Sequence, residues 1–305
     1  MINPTRRYGA IARLALPLGV ALAAALAAGG VQAASILFIG NSFTFAALSP
    51  VRHYKAETVT DLNGEGTGGV PALFKAFTRE AGLDYTVSLE TSPGKNFDWH
   101  YANKRAAIAR RWDAVVMQGF STLDGQKPGD PTNMIKYATL VAADLRAQNP
   151  DVAIYYDATW SRADMTYQPT GHWYGKPIEA MAKDIRAGYD QAKAATPGAK
   201  AVLPVGDAWN RAFANGFADP NPYDGISFGK VDLWAYDNYH ASSYGYYLEA
   251  LVIFGGITGR DPRSLGEREA CADDLGISPA QTKALQQTAY ETLAAEPGWT
   301  AKPAN

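Results

Sequence analysis

The chain has 305 residues, with 28 Lys+Arg against 30 Asp+Glu and a formal net charge of −2. Hydrophobic residues make up 47% and charged residues 19%, which excludes a largely disordered chain, and there is no basic excess to draw it to nucleic-acid phosphates. A single cysteine, Cys271, excludes an intrachain disulfide and a cysteine-based zinc site, and none of the four histidines pair at the spacing of a helical zinc site.

Residues 1–33 read as a secretory signal peptide. Arg6, Arg7 and Arg13 supply the basic start, residues 14–28 an apolar, Ala-rich run, and Val31-Gln32-Ala33 a cleavage pattern. Pro17 and the short length speak against a membrane span, with a retained N-terminal anchor as the alternative. Cleavage would leave residues 34–305 and take the net charge from −2 to −5. These features predict a secreted or periplasmic protein without stable membrane insertion.

Beyond the leader, apolar β runs lie at 35–39, 113–117, 152–156 and 201–205, and an alternating run at 85–90. Helical patterns cover 70–81, 98–111, 133–148, 178–195, 242–255 and 279–295. Strands and helices alternate, and the strands are continuously apolar, as in a parallel sheet covered on both faces. No repeat or linker divides the chain, so 34–305 is expected to be a single α/β domain. In such sheets ligands bind beyond the carboxyl ends of the strands.

Four segments, three at those ends and one before a closing helix, carry candidate chemistry. Gly40-Asn41-Ser42-Phe43-Thr44 follows the first strand, where a tight turn can lift a serine above the sheet. A plain strand–helix turn with a Ser or Asn cap is the alternative. Ser92-Pro93-Gly94 follows the second strand, and Gly94 can offer an unobstructed N–H or simply close a Pro-Gly turn. Gln118-Gly119-Phe120-Ser121 follows the third, where the Gln118 amide can donate to an oxyanion or bond the backbone of its own turn. Near the C-terminus, Asp237-Asn238-Tyr239-His240 sets an acid and an imidazole three residues apart, close enough for the carboxylate to hold one ring nitrogen. A surface loop with a hydrogen-bonded histidine is the alternative. His53, His100 and His172 have no acid in a comparable loop.

In their order and positions, these four blocks resemble the SGNH hydrolases, or GDSL-type esterases, over nearly the whole of 34–305. The resemblance implies a flavodoxin-like three-layer sandwich with a mostly parallel central sheet flanked by helices. It implies Ser42 as nucleophile, His240 as general base and Asp237 as the residue that orients it. It also implies an oxyanion hole from the N–H groups of Ser42 and Gly94 and a side chain of the third block. Two blocks depart from the common form. Asn41 stands where aspartate is usual, and Q-G-F-S is similar to the Q-G-E-S of the sialate and xylan acetylesterase branch, with Phe120 in place of Glu. That likeness makes Gln118 the third donor. The mechanism needs no metal or organic cofactor.

The loops after the strands are long and aromatic, and aromatic faces beside Asn and Asp suit sugar rings, although such rings also pack loops. Asn41, Trp160, Arg162 and Tyr239 are therefore candidate substrate contacts, with Arg162 equally able to pair with Asp164. The reading is an exported serine esterase acting on a small-molecule or polysaccharide ester, foremost O-acetyl groups on a carbohydrate. A lipid or short-chain acyl esterase and a catalytically silent carbohydrate-binding protein are the alternatives.

Overall fold

Six parallel strands form one sheet in the order β2-β3-β1-β4-β5-β6 in the computed structural model, which describes residues 1–4, 9 and 33–302. The strands are β1 (Ala34–Gly40), β2 (Thr60–Asp61), β3 (Tyr85–Thr91), β4 (Ala114–Met117), β5 (Ala153–Asp157) and β6 (Ala199–Leu203). The expected leader, 1–33, lies almost wholly outside the described residues. The two-residue β2 is too short to leave a pattern in the sequence. Without it the order is that of a flavodoxin-like sheet, whose switch point lies between β1 and β4.

The helices are α1 (Gly69–Glu80), α2 (Phe97–Asn103), α3 (Arg105–Ile108), α4 (Thr132–Gln148), α5 (Ala163–Tyr167), α6 (Glu179–Ala195), α7 (Val205–Ala214), α8 (Ser243–Thr258), α9 (Ala270–Asp274) and α10 (Pro279–Ala294). The period-2 alternation of β1 divides the core. Ile36 and Phe38 pack with α1, α7, α8 and α10, whereas Leu37 and Ile39 pack with α2, α3, α4 and α6. The three-layer α/β sandwich expected from the sequence is thus observed.

Two expected boundaries move. The helix expected over 98–111 divides at Lys104, whose φ of −125° leaves the helical range while its N–H closes α2 on the His100 carbonyl. The strand expected over 201–205 lies two residues earlier. Pro204 cannot donate to a ladder, and its fixed φ suits a helix start, so Val205 opens α7 instead.

Helix α8 matters most to the site. It is buried almost all round, and Leu248, Leu251, Val252, Ile253 and Phe254 pack in the core. Ser242 Oγ caps it by accepting from Gly245 N at 3.4 Å, and Gly259 ends it in the left-handed region at φ +71°. A helix this deeply packed is a fixed anchor for the loop that enters it, and that loop carries His240.

Beneath the strand ends lies a pair of acids. Asp157 at the end of β5 and Glu249 on α8 are buried against each other, and Asp157 Oδ1 and both Glu249 oxygens lack a donor partner among the described residues. Burial pushes the Asp157 carboxyl up to about 7. Burial first and the neighbouring Asp157 second raise Glu249 well above its ordinary range. In the unfolded chain both groups lose their protons near pH 4. The folded state therefore keeps protons that the unfolded state releases, and stability falls as pH rises from about 4 to 7, by about 1.4 kcal/mol per pH unit for each retained proton. Asp157→Asn should flatten the dependence of melting temperature on pH across this window and raise the melting temperature at pH 8, as measured by calorimetry.

Candidate active site

The chain leaves β1 at Gly40 and turns sharply. A Cβ on Gly40 would overlap the Thr44 hydroxyl and approach Gln118 Oε1 to 2.8 Å, so the turn requires glycine. Phe45 N donates to Asn41 O at 3.1 Å and Ala47 N to Ser42 O at 2.9 Å. Ala46 and Leu48 then take left-handed φ values of 59° and 61°, and the segment does not continue as a helix. A helix following directly on Ser42 is absent: the next α-helix, α1, begins at Gly69. Ser42 lies in this turn at 6% exposure, and its N–H has no acceptor among the described residues.

Asn41 organises the turn. Its Oδ1 accepts from Phe43 N at 3.2 Å, and its Nδ2 donates to Lys95 O at 3.0 Å and Gly119 O at 2.9 Å. One donor N–H and two acceptor carbonyls determine the amide orientation. At 3% exposure Asn41 is a crosspiece tying the turns after β1, β3 and β4 together, not the substrate contact expected from the sequence. The departure from the commoner aspartate has a physical reason here, because a carboxylate would set an acceptor against two carbonyl oxygens. Asn41→Asp should cost about 2 kcal/mol or more, lower the melting temperature by roughly 5 °C, and reduce turnover. Thermal melts with esterase assays of the same preparation would check it.

The second half of the site is the loop 234–241. An antiparallel bridge between Trp234 and Ala241 closes its neck, and Ala235 N donates to His240 O at 2.7 Å. Asn238 takes φ +55°, a conformation asparagine tolerates better than most residues. Asp237 Oδ1 accepts from Tyr239 N at 3.1 Å and His240 N at 2.9 Å, while His240 Nδ1 donates to Asp237 Oδ2 at 2.6 Å. Burial alone would raise the Asp237 carboxyl. The hydrogen bonds from the His240 ring and from the two N–H groups outweigh it and hold the group below its ordinary range. Asp237 is then a carboxylate that accepts the Nδ1 proton and leaves the lone pair on Nε2. His240 Nε2 is buried without a hydrogen-bond partner among the described residues.

Aromatic packing brings the two halves together. The Phe43 ring, next to Ser42, lies 5.7 Å from the His240 ring and stacks on Trp160 at 4.1 Å. Trp160 stacks in turn on Trp209 at 4.6 Å, and its Nε1 donates to Tyr239 O at 3.1 Å. Trp160 is fully buried, so it holds the His240 loop and presents no face to a substrate. Arg162 forms a bidentate pair with Asp164 at 3.0 and 2.6 Å, reaches Ser121 Oγ at 3.2 Å, and lies 3.6 Å above the Tyr239 ring. The salt bridge to Asp164 read from the sequence is present. Tyr239 is half-buried between Arg162 and His240.

Sequence reasoning missed Tyr246. From the first turn of α8 its hydroxyl donates toward Ser42 O at 3.3 Å and Ala47 O at 3.2 Å, fastening the serine turn to the helix that follows His240. Its only sequence signal was a hydroxyl inside an apolar helix. His100 is fully buried, with Nδ1 at 2.6 Å from Glu90 Oε2.

The two remaining expected donors differ. Gly94 sits in the exposed turn after β3 at φ +63°, and its N–H has no acceptor among the described residues. Gln118 is 1% exposed, and its Oε1 accepts from Asn41 N and Thr44 Oγ1, each at 3.0 Å. Because those partners fix Oε1, Nε2 points at the Gly119 carbonyl. In this geometry Gln118 braces the serine turn, the alternative that the sequence left open. No cluster of three or more His, Cys, Asp or Glu among the described residues has the arrangement of a metal site.

No protein-family model and no curated protein matches the chain. Its fold does match solved structures. A DUF4886 family protein from Bacteroides uniformis ATCC 8492 is 19% identical, with 87% of this chain and 96% of that one covered at a TM-score of 0.59. A candidate GDSL-like lipase from Parabacteroides merdae ATCC 43184 is 16% identical, with 74% and 95% covered at a TM-score of 0.51. The chain has the SGNH/GDSL hydrolase fold.

Proposed function

We propose that this chain is an exported serine hydrolase of carboxylic esters that removes O-acetyl groups from a carbohydrate through an acyl-enzyme. The observation that carries the catalytic reading is His240 Nε2, buried and unpartnered on a ring whose other nitrogen is held by Asp237 and which packs beside the Ser42 turn. His240 Nε2 takes the Ser42 proton as Oγ attacks the ester carbonyl. The free N–H groups of Ser42 and Gly94 receive the oxyanion, each worth roughly 3 kcal/mol in the transition state. His240 returns the proton to the leaving alcohol. Water then repeats the sequence on the acetyl-enzyme and releases acetate. Gln118 serves this site by holding Asn41 and Thr44, and so the position of the Ser42 N–H.

The acetyl-carbohydrate assignment draws support from the sequence likeness of the Q-G-F-S segment, in which Gln118 acts as a brace and not as a donor, and from the reading of residues 1–33 as an export signal, which would place the enzyme among extracellular polysaccharides. A hydrolysis panel tests it, comparing p-nitrophenyl acetate, butyrate and octanoate with acetylated xylo-oligosaccharides. The expected result is release of acetate from the sugar and at least tenfold preference for acetate over octanoate. The reverse preference with no sugar deacetylation would make the chain a lipid acyl esterase. No turnover, together with no labelling of Ser42 by a fluorophosphonate, would make it a silent binding protein.

A further inference from the structure

Beside the serine turn a cavity of about 430 Å³ opens between the turn after β3 and the loop after β4, and of its lining the mechanism above uses only the Gly94 N–H. Its size falls in the range of ligand sites. Its rim includes Gly94 and Lys95 on one side and Phe120 on the other. Asn41 binds both sides, through the Lys95 and Gly119 carbonyls, so the cavity has a fixed position relative to Ser42. Asn96 fixes its width. Its Oδ1 accepts from Phe97 N and Phe120 N at 3.0 and 3.2 Å, and its Nδ2 donates to Leu123 O at 3.0 Å. The space is therefore built before any ligand arrives.

The lining combines two kinds of surface. Trp99 and Phe120 contribute half-buried rings, and Lys95 Nζ stands 5.9 Å from the Trp99 centroid. Around them are polar groups with unused capacity among the described residues. Asp98 accepts only from Trp99 N, through Oδ1, and Asp124 only from Gln126 N and Lys127 N, again through Oδ1. The side-chain amide of Asn133 makes no hydrogen bond among the described residues. A fatty acyl chain here would strip water from two carboxylates and an amide and return nothing to them. A polyhydroxylated ring would instead donate O–H to the carboxylates, exchange hydrogen bonds with the amide, and lay its C–H face on an aromatic ring. Two carboxylates against one lysine also set the field against an anionic sugar.

We infer that this cavity is the subsite for a neutral sugar ring of the ester substrate, recognised by Trp99, Asp98, Asp124 and Asn133. The inference rests on the carbohydrate reading above and narrows it, favouring acetylated neutral polysaccharides over acetylated sialic or uronic acids.

The test is binding of non-acetylated ligands to the full chain by titration calorimetry, with xylohexaose, a hexamer of polygalacturonic acid and sodium octanoate as probes. Xylohexaose should bind, at least tenfold more tightly than either anion. Asn133→Ala, a change at a partly exposed helix end, should weaken it roughly tenfold, and Trp99→Ala should weaken it by at least as much. Melting temperatures taken alongside identify any variant that fails to fold. If acetylated xylo-oligosaccharides are deacetylated but xylohexaose binding is indifferent to Asn133→Ala and to folded Trp99→Ala, the subsite is overturned while the esterase reading stands. Tighter binding of the acidic hexamer or of octanoate overturns the choice of a neutral sugar. Absence of any sugar deacetylation removes the premise itself, a result seen in the hydrolysis panel and independent of these variants.

Discussion

Ser42→Ala is expected to abolish ester hydrolysis, with turnover falling by roughly 10⁶-fold, while the melting temperature stays within a few degrees of the parent. The two halves of this expectation have separate causes. The fold does not depend on the hydroxyl, because Ser42 contributes to its turn through backbone atoms: its carbonyl accepts from Ala47 N and Tyr246 OH. The chemistry has no substitute, since the bond that forms in the first step is to Oγ. Some rate above water should survive from the free N–H groups of Ser42 and Gly94, which still favour a tetrahedral oxyanion. Active-site titration with a fluorophosphonate followed by peptide mapping gives an independent check. An adduct on any other serine would remove the assignment.

His240→Ala should be almost as severe, again roughly 10⁶-fold in turnover, because its ring packs beside the Ser42 turn and its Nε2 is the proton acceptor of the proposed mechanism. His53 Nδ1 lies 3.3 Å from the Gly66 carbonyl. His100 is sealed in the core against Glu90, and His172 packs edge-on to Trp173 at a ring separation of 4.6 Å. Asp237→Asn is expected to be milder, about 10⁴-fold, and its cause differs. An amide at 237 can present its NH₂ to the ring nitrogen that now donates, which moves the proton to Nε2 and leaves nothing there to accept from serine. It also weakens the acceptor for the Tyr239 and His240 N–H groups, so a small fall in melting temperature should accompany the kinetic loss. Equal kinetic losses for Asp237→Asn and Asp237→Ala would support the tautomer account. Full activity in Asp237→Asn would leave the Asp237–His240 contact as loop structure only.

Much of this site was legible in the chain itself, for a definite reason. Residues that enter chemistry sit at strand ends, and strand ends can be read wherever a continuous apolar run stops at glycine or a polar block. That logic pointed to Ser42, Gly94 and Gln118, the Asp237–His240 pair was read instead from its spacing before an apolar helix, and alternating elements were enough to predict a parallel sheet with helices on both faces. Only the tertiary structure decided what each side chain does there. Gln118 and Asn41 look like reactive-site groups in sequence because their amides can donate in any direction. Their partners in three-dimensional space, the Asn41 N–H for one and the Lys95 and Gly119 carbonyls for the other, make them braces. Trp160 looks like a sugar platform until Phe43 and Trp209 occupy its two faces from segments more than a hundred and about fifty residues away in the chain. The cavity beside Trp99 left no signal and Tyr246 only a hydroxyl in an apolar helix, because each depends on turns that approach one another only after the sheet has formed. Sequence periodicity reports which face of an element is buried. Hydrogen-bond orientation and cavity shape arise between elements distant in the chain, so the folded arrangement alone determines them.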